Sequence, residues 1–185
     1  MKANLKRTFS LACIALILFV VFSKCEADDG YEFDKKVSVK IYLTGEVNQY
    51  IPPCLVIDEN NPSNRYIRVD SALAFGFGTD FVLPDSLKNS NLKIVVSGKM
   101  RESDNFKGCI AISLSNIKDS AFFWGTLKSE KHLKQFNVWV PFKDSITLDK
   151  QINSSSAKTL RVFPYKNTGK GAFDVDDLVI EIIRE

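Results

Sequence analysis

Apolar residues along this chain alternate with polar ones in short runs, and each run stops at residues that favour turns. VSVKIYL (37–43) alternates with a period of two, as a half-buried strand does. RYIRV (65–69) reads the same way. So does LAFGFGTDFVL (73–83), where Gly76 and Gly78 predict a bulge or a close approach. In LKIVVSGKMR (92–101), Leu92, Ile94, Val96, Gly98 and Met100 share one face. CIAISLS (109–115) sets Ile110, Ile112 and Leu114 against Cys109, Ala111 and Ser113. AFFWGTL (121–127) is short and aromatic. FNVWVPF (136–142) puts Phe136, Val138, Val140 and Phe142 on one face and Trp139 on the other. TLRVFPY (159–165) and FDVDDLVIEI (173–182) close the series.

The joints are polar or rich in breakers. They include a lead-in at 28–36, the proline-containing loop IPPCLVIDENNPSN (51–64), the loop 84–91 and the turn ESDNFKG. KSEKHLKQ has room for one helical turn, and QINSSSA is a loop whose Asn153-Ser154-Ser155 matches a glycosylation acceptor. About eight or nine strands with no long helix predict an all-β fold, an antiparallel β-sandwich or barrel.

The N-terminus changes the picture of the remainder. Lys2, Lys6 and Arg7 precede an apolar stretch from Phe9 to Phe22, which is short for a membrane span and matches a secretory signal. It allows two endings, with an uncleaved membrane anchor as a further alternative. Cleavage after Ala27 makes residues 1–27 a signal peptide. Alternatively the signal ends at Cys25, lipidated as in bacterial lipoproteins, with Lys24 departing from the small residue expected before it. The acidic EADD beginning at Glu26 resembles the export signal of surface lipoproteins in Bacteroidetes-like bacteria. The expected layout is a signal (1–27), a lead-in (28–36) and one β-sandwich domain (37–185), in a secreted, periplasmic or cell-surface protein.

Composition sharpens this reading. The whole chain of 185 residues carries a formal charge of +3. Without residues 1–27 the basic count falls from 25 to 21 and the acidic count from 22 to 21, so the domain is neutral. No electrostatic footprint for nucleic acid survives. Of the 4 cysteines, Cys54 and Cys109 remain in the exported domain. An oxidising compartment makes a Cys54–Cys109 disulfide the expectation. It would close a loop of roughly 55 residues, worth on the order of 4 kcal/mol in the chain-entropy reading. Two separate buried thiols are the alternative.

Catalytic chemistry finds little support. His132, the single histidine, sits in a lysine-rich connection, and no GxSxG or Cys-His spacing accompanies it. Zinc would need more His or Cys than the chain offers. Asp176 and Asp177 are neighbours on a strand and point to opposite faces, which argues against a glycosidase pair. The binding candidates are aromatic: Trp139 opposite the core face expected from Phe136, Val138 and Val140, Trp124, Tyr66 and Tyr165, with Arg161 for hydroxyl or carboxylate contacts. For each Trp the competing role is core packing, since a sandwich of this size needs large side chains inside.

The ending of the chain carries a family resemblance. TLRVFPY, the turn YKNTGKG and then FDVDDLVIEI resemble the last two strands of galactose-binding-like jelly rolls, including carbohydrate-binding modules. AFFWGTL followed by FNVWVPF is similar to a Trp…Trp pattern in such modules. The resemblance implies a jelly-roll sandwich and a non-catalytic module that binds a glycan or cell-surface polysaccharide. It also implies a structural calcium, held by Asp177 and Asp176 with Glu32 or Asp34 of the lead-in; backbone amides bound at a β-bulge are the other role for these acids. A β-sandwich that recognises a protein partner is the competing function, and a small hydrolase is a third.

Overall fold

The computed structural model describes residues 31–32, 39–43, 53–105, 107–154, 156–166 and 169–185, with side chains from residue 39 onward. The chain divides into two compact units, Met1–Tyr31 and Glu32–Glu185. The expected signal, Cys25 and Asp34 lie outside the described residues, as does the side chain of Glu32. Eleven strands are described: β1 (Tyr31–Glu32), β2 (Val39–Leu43), β3 (Leu55–Asp58), β4 (Asn61–Val69), β5 (Thr79–Val82), β6 (Leu92–Glu102), β7 (Cys109–Asn116), β8 (Ala121–Lys128), β9 (Val140–Leu148), β10 (Ala157–Tyr165) and β11 (Phe173–Arg184). Single 3-10 turns occupy Asp85–Leu87 and Ser129–Lys131.

The strands form two antiparallel sheets. One carries the order β5-β10-β7-β8. In the other, β11 lies between β2 and β6, and β6 pairs with β9. Taking β2 and β5–β11 as eight strands in chain order, the two sheets read 1-8-3-6 and 2-7-4-5. Successive strands cross between sheets everywhere except at the β7–β8 hairpin. That order is a jelly roll of two interlocked Greek keys. The β3–β4 hairpin is an addition between the first two of those strands. It docks β4 beside Phe173–Val175, on the same side of β11 where β2 runs beside Leu178–Ile182.

Alternation places the core between the sheets. Ile94, Val96, Met100, Phe173, Val175, Leu178, Ile180 and Ile182 of the larger sheet face Ile110, Ile112, Leu114, Leu160 and Val162 of the smaller one, each at most 1% exposed. Each such side chain contributes roughly 1.5–3 kcal/mol by leaving water. The inward period survives the acids of β11 because of a bulge. The ladder with β6 slips between Asp176 and Val179, and Asp177 adopts φ 50°. One extra residue there lets both Val175 and Leu178 point inward. Gly98 lies opposite; a Cβ on it would come within 2.8 Å of the Asp176 carbonyl oxygen and 3.0 Å of that of Asp177.

Three elements differ from expectation. The loop 51–64 contains β3, because LVID pairs with β4 despite the flanking prolines. The segment 73–83 is extended into strand only at Thr79–Val82. A Cβ on Gly78 would overlap the Val162 carbonyl at 2.2 Å, so the glycine there serves close approach. β9 begins at Val140 and runs to Leu148, later than the predicted 136–142; Phe136 and Val138 are exposed.

The expected Cys54–Cys109 disulfide is corrected by the structure: both are free, buried thiols. Cys54 belongs to a small cluster with Leu55, Ile67 and Phe77, where its sulfur accepts the Phe77 N–H at 3.1 Å. Cys109 opens β7 in the other sheet, opposite Lys128 and Tyr165. Each packs in its own surroundings, so neither offers a sulfur to the other. Burial, and secondarily the Glu102 carboxylate, pushes the Cys109 thiol up to about 11.

Candidate functional site

The outer face of the smaller sheet is built in transverse rows. Asp80, Arg161, Ser113 and Trp124 form one row across β5, β10, β7 and β8. Phe163, Ala111 and Thr126 form the next, and Tyr165, Cys109 and Lys128 the third. Phe75 joins the third row by an isolated bridge to Tyr165. β7, one of the two inner strands, thus carries only small side chains on this face, and Ala111 and Ser113 are buried beneath larger neighbours.

Over that floor Trp124 leans from β8 to β10. Its ring meets Phe163 at 5.6 Å and Tyr165 at 5.9 Å, both edge-on. Phe75 packs on Tyr165 at 5.0 Å and on Phe163 at 6.0 Å. Two of the four rings stay open to water: Trp124 is 49% and Phe75 58% exposed. Beside them Arg161 Nε donates to Asp80 Oδ1 at 3.0 Å. An open cavity of about 210 Å³, lined by Phe75, Gly76, Gly78, Thr79, Asp80 and Phe163, runs from two of those rings to Asp80. Flat apolar rings next to a few oriented polar groups are the usual make-up of a small-molecule subsite.

The remaining two aromatic candidates meet on the other sheet. Tyr66 and Trp139 contact edge-on at 5.5 Å. The Arg101 guanidinium sits 4.6 Å from the Trp139 ring centre and 5.2 Å from that of Tyr66. Arg101 and Arg68 both hydrogen-bond Asp174, which cross-strand pairing places between them. Asp174 holds the Arg68 guanidinium above its already high range, against the opposing effect of burial. Here Tyr66 is buried and a cation already covers the Trp139 ring.

The acids proposed for calcium have other partners. Asp177 receives the Lys99 ammonium at 2.7 Å. Asp176 accepts the Asn64 side-chain N–H at 3.1 Å and, through Oδ1, the Asp177 backbone N–H at 2.9 Å. That is the amide-binding role at a bulge. Among the described residues no three His, Cys, Asp or Glu side chains converge as metal ligands; Asp34 and the Glu32 side chain, the other oxygens expected for calcium, lie outside those residues. The sequon residue Asn153 is fully buried and donates to the carbonyls of Leu87 and Ser90. His132 is half-buried, with Nε2 3.4 Å from Asp144 Oδ2.

Sequence reasoning thus named Trp124, Tyr165 and Arg161, which the fold gathers on one face, and Trp139 and Tyr66, which it gathers on another. Phe75, Phe163 and Asp80 were missed. Arg161, Phe163 and Tyr165 stand two apart in TLRVFPY, and that spacing alone puts them on one face.

No protein-family model matches the chain, and no curated protein matches it in sequence. Solved structures similar to it include the xylan-binding module CBM15, at 16% identity over 80% of this chain and 98% of that chain, with a TM-score of 0.45. The CBM22-1 xylan-binding domain of Paenibacillus barcinonensis Xyn10C is 11% identical over 82% of this chain and 90% of that one, with a TM-score of 0.41. An infectious bursal disease virus protein is 8% identical over 78% of this chain, with a TM-score of 0.45. The chain spans 31% of that viral chain's length. At such scores the jelly-roll assignment rests on strand order, and the likenesses carry no functional argument.

Proposed function

We propose that this protein is an exported, non-catalytic module that binds a glycan on the outer face of the smaller sheet. The observation that carries the reading is the exposed pair Trp124 and Phe75, set over a small-residue floor beside the Arg161–Asp80 ion pair. Sugar rings present apolar C–H faces, which stack on such side chains, and hydroxyls, which accept hydrogen bonds from a guanidinium and donate them to a carboxylate. Arg161 and Asp80 are half open to water, so a hydroxyl can reach either. The buried carboxylates Asp174 and Glu102 each face cations, an arrangement that suits support of the fold more than hydrolysis.

A polysaccharide and glycan-array screen of the folded protein tests this reading. Trp124→Ala is expected to weaken any binding at least tenfold, about 1.4 kcal/mol. Trp139→Ala, on the other sheet, should leave it unchanged. Absence of binding to every glycan at high protein concentration, or unaltered binding by Trp124→Ala, overturns it. A protein-recognising domain is the second reading. It draws on the exposed Ile117 and Phe122 around the β7–β8 turn and on β8, which among the described residues pairs on one side only. Loss of a protein partner on Phe122→Asp, with no glycan bound, would favour it.

A further inference from the structure

Among the described residues Lys166 is the largest fully buried side chain, at 0% exposure, and it stands directly after β10. Its ammonium makes a very short contact with Glu102 Oε1. It also donates to Asp104 Oδ1 at 2.9 Å and to Asn105 Oδ1 at 3.2 Å, both in the β6–β7 turn. Glu102 is itself fully buried and fixed from three further directions. Its Oε1 accepts the N–H groups of Lys107 and Gly108, and its Oε2 accepts the Ser129 hydroxyl. An amine, a carboxylate and a carboxamide are thus held together where burying an ionic pair is costly.

The carboxamide is positioned as firmly as the amine. Asn105 adopts a left-handed backbone with φ 32°, which turns its side chain back toward Lys166. Gly169 packs against it, and a Cβ at Gly169 would come within 2.2 Å of Asn105 Nδ2. Asp104, the other acyl group in reach, is anchored by the N–H groups of Lys170 and Gly171 on Oδ2. The Lys166 hydrogen bond, helped by those amides, lowers its carboxyl below the usual range. As a carboxylate it is a poor electrophile, and the neutral amide of Asn105 is the better one.

We propose that Lys166 and Asn105 join in an intramolecular isopeptide bond, with Glu102 as the proton carrier. Glu102 Oε1 takes a proton from the Lys166 ammonium, and the freed amine attacks Asn105 Cγ. Glu102 returns the proton to Nδ2, the Cγ–Nδ2 bond breaks, and a second proton from Nζ goes with the leaving group. Ammonium plus carboxamide becomes secondary amide plus ammonium ion, so charge and atoms balance and nothing is oxidised or reduced. Fixed proximity of the two groups supplies the rate, as in other reactions made intramolecular by a fold. The bond would tie the β6–β7 turn to the end of β10 covalently.

Tryptic mapping of the denatured full-length protein tests this proposal. The expected product joins peptide 102–107 to peptide 162–170, uncleaved at Lys166 and lighter by one ammonia. Lys166→Arg, which keeps the cation but cannot acylate, and Asn105→Ala should each abolish the branched product; Glu102→Gln should slow its formation at least tenfold. A succinimide at Asn105 would also release ammonia, but it would persist in Lys166→Arg and give no branch. Recovery of 102–107 and 167–170 as separate linear peptides from the unmutated protein overturns the proposal. So does a branch lighter by water, which would place the bond on Asp104.

Discussion

Asp174 and the two cysteines show how little of a side chain's role is visible in its immediate sequence. Asp174 opens an acidic run and invites reading as a ligand, yet it is 3% exposed and engaged by two guanidiniums from strands on either side. Only the registers Asp174↔Arg68 and Asp174↔Arg101 disclose this, and pairing partners lie about 70 and 100 residues away. Cys54 and Cys109 were read from compartment and number, and neither reports position. The thiol of Cys109, pushed from 9.0 to about 11, should resist alkylation at pH 8 in the folded protein. After denaturation without reductant, both Cys54 and Cys109 should react; recovery of a disulfide instead would contradict the free thiols. The sign of the linkage follows. A folded value above the unfolded one favours the native state below the unfolded value, near pH 9, and that contribution is lost as pH rises through about 11.

At the scale of elements, alternation was legible wherever it was unbroken. β6, β7 and β10 lie within two residues of their expected bounds, because each has an uninterrupted apolar face. β9 was misplaced because the charged stretch after Phe142 hides its pattern. Phe142, Asp144, Ile146 and Leu148 share a side, and one of the four is an acid that meets His132 and Lys131. The same offset explains why Trp139 was set opposite a core face: with the strand begun too early, its partition of faces could not be used. The β11 bulge, by contrast, was signalled by its acids. Gly98→Ala would press a methyl against two carbonyl oxygens at that bulge and is expected to cost about 1–3 kcal/mol, as overpacking does. Urea denaturation would read it as a lower midpoint with an unchanged slope.

The whole molecule depends on its last strand. β11 pairs with β2, β4 and β6, joining the first strand of the jelly roll to the middle of the chain. Such distant pairings make folding slow relative to helical domains of similar size. A chain ending at Asp177 would lose the β2 ladder and the Leu178, Ile180 and Ile182 layer of the core. It is expected to show no cooperative thermal transition by circular dichroism and rapid proteolysis; a sharp transition would mean that β11 matters less than its pairing implies.

The pairing of β2 with β11 also sets how the domain answers to force. Val39 sits opposite Ile182, so the entry to one strand and the exit of the other lie at the same end of an antiparallel ladder. A load applied between those two points does not shear the ladder, which would strain all its hydrogen bonds together. It peels β2 away one residue pair at a time, beginning at Val39↔Ile182, and draws Val39 and then Ile41 out of the core as the ladder opens.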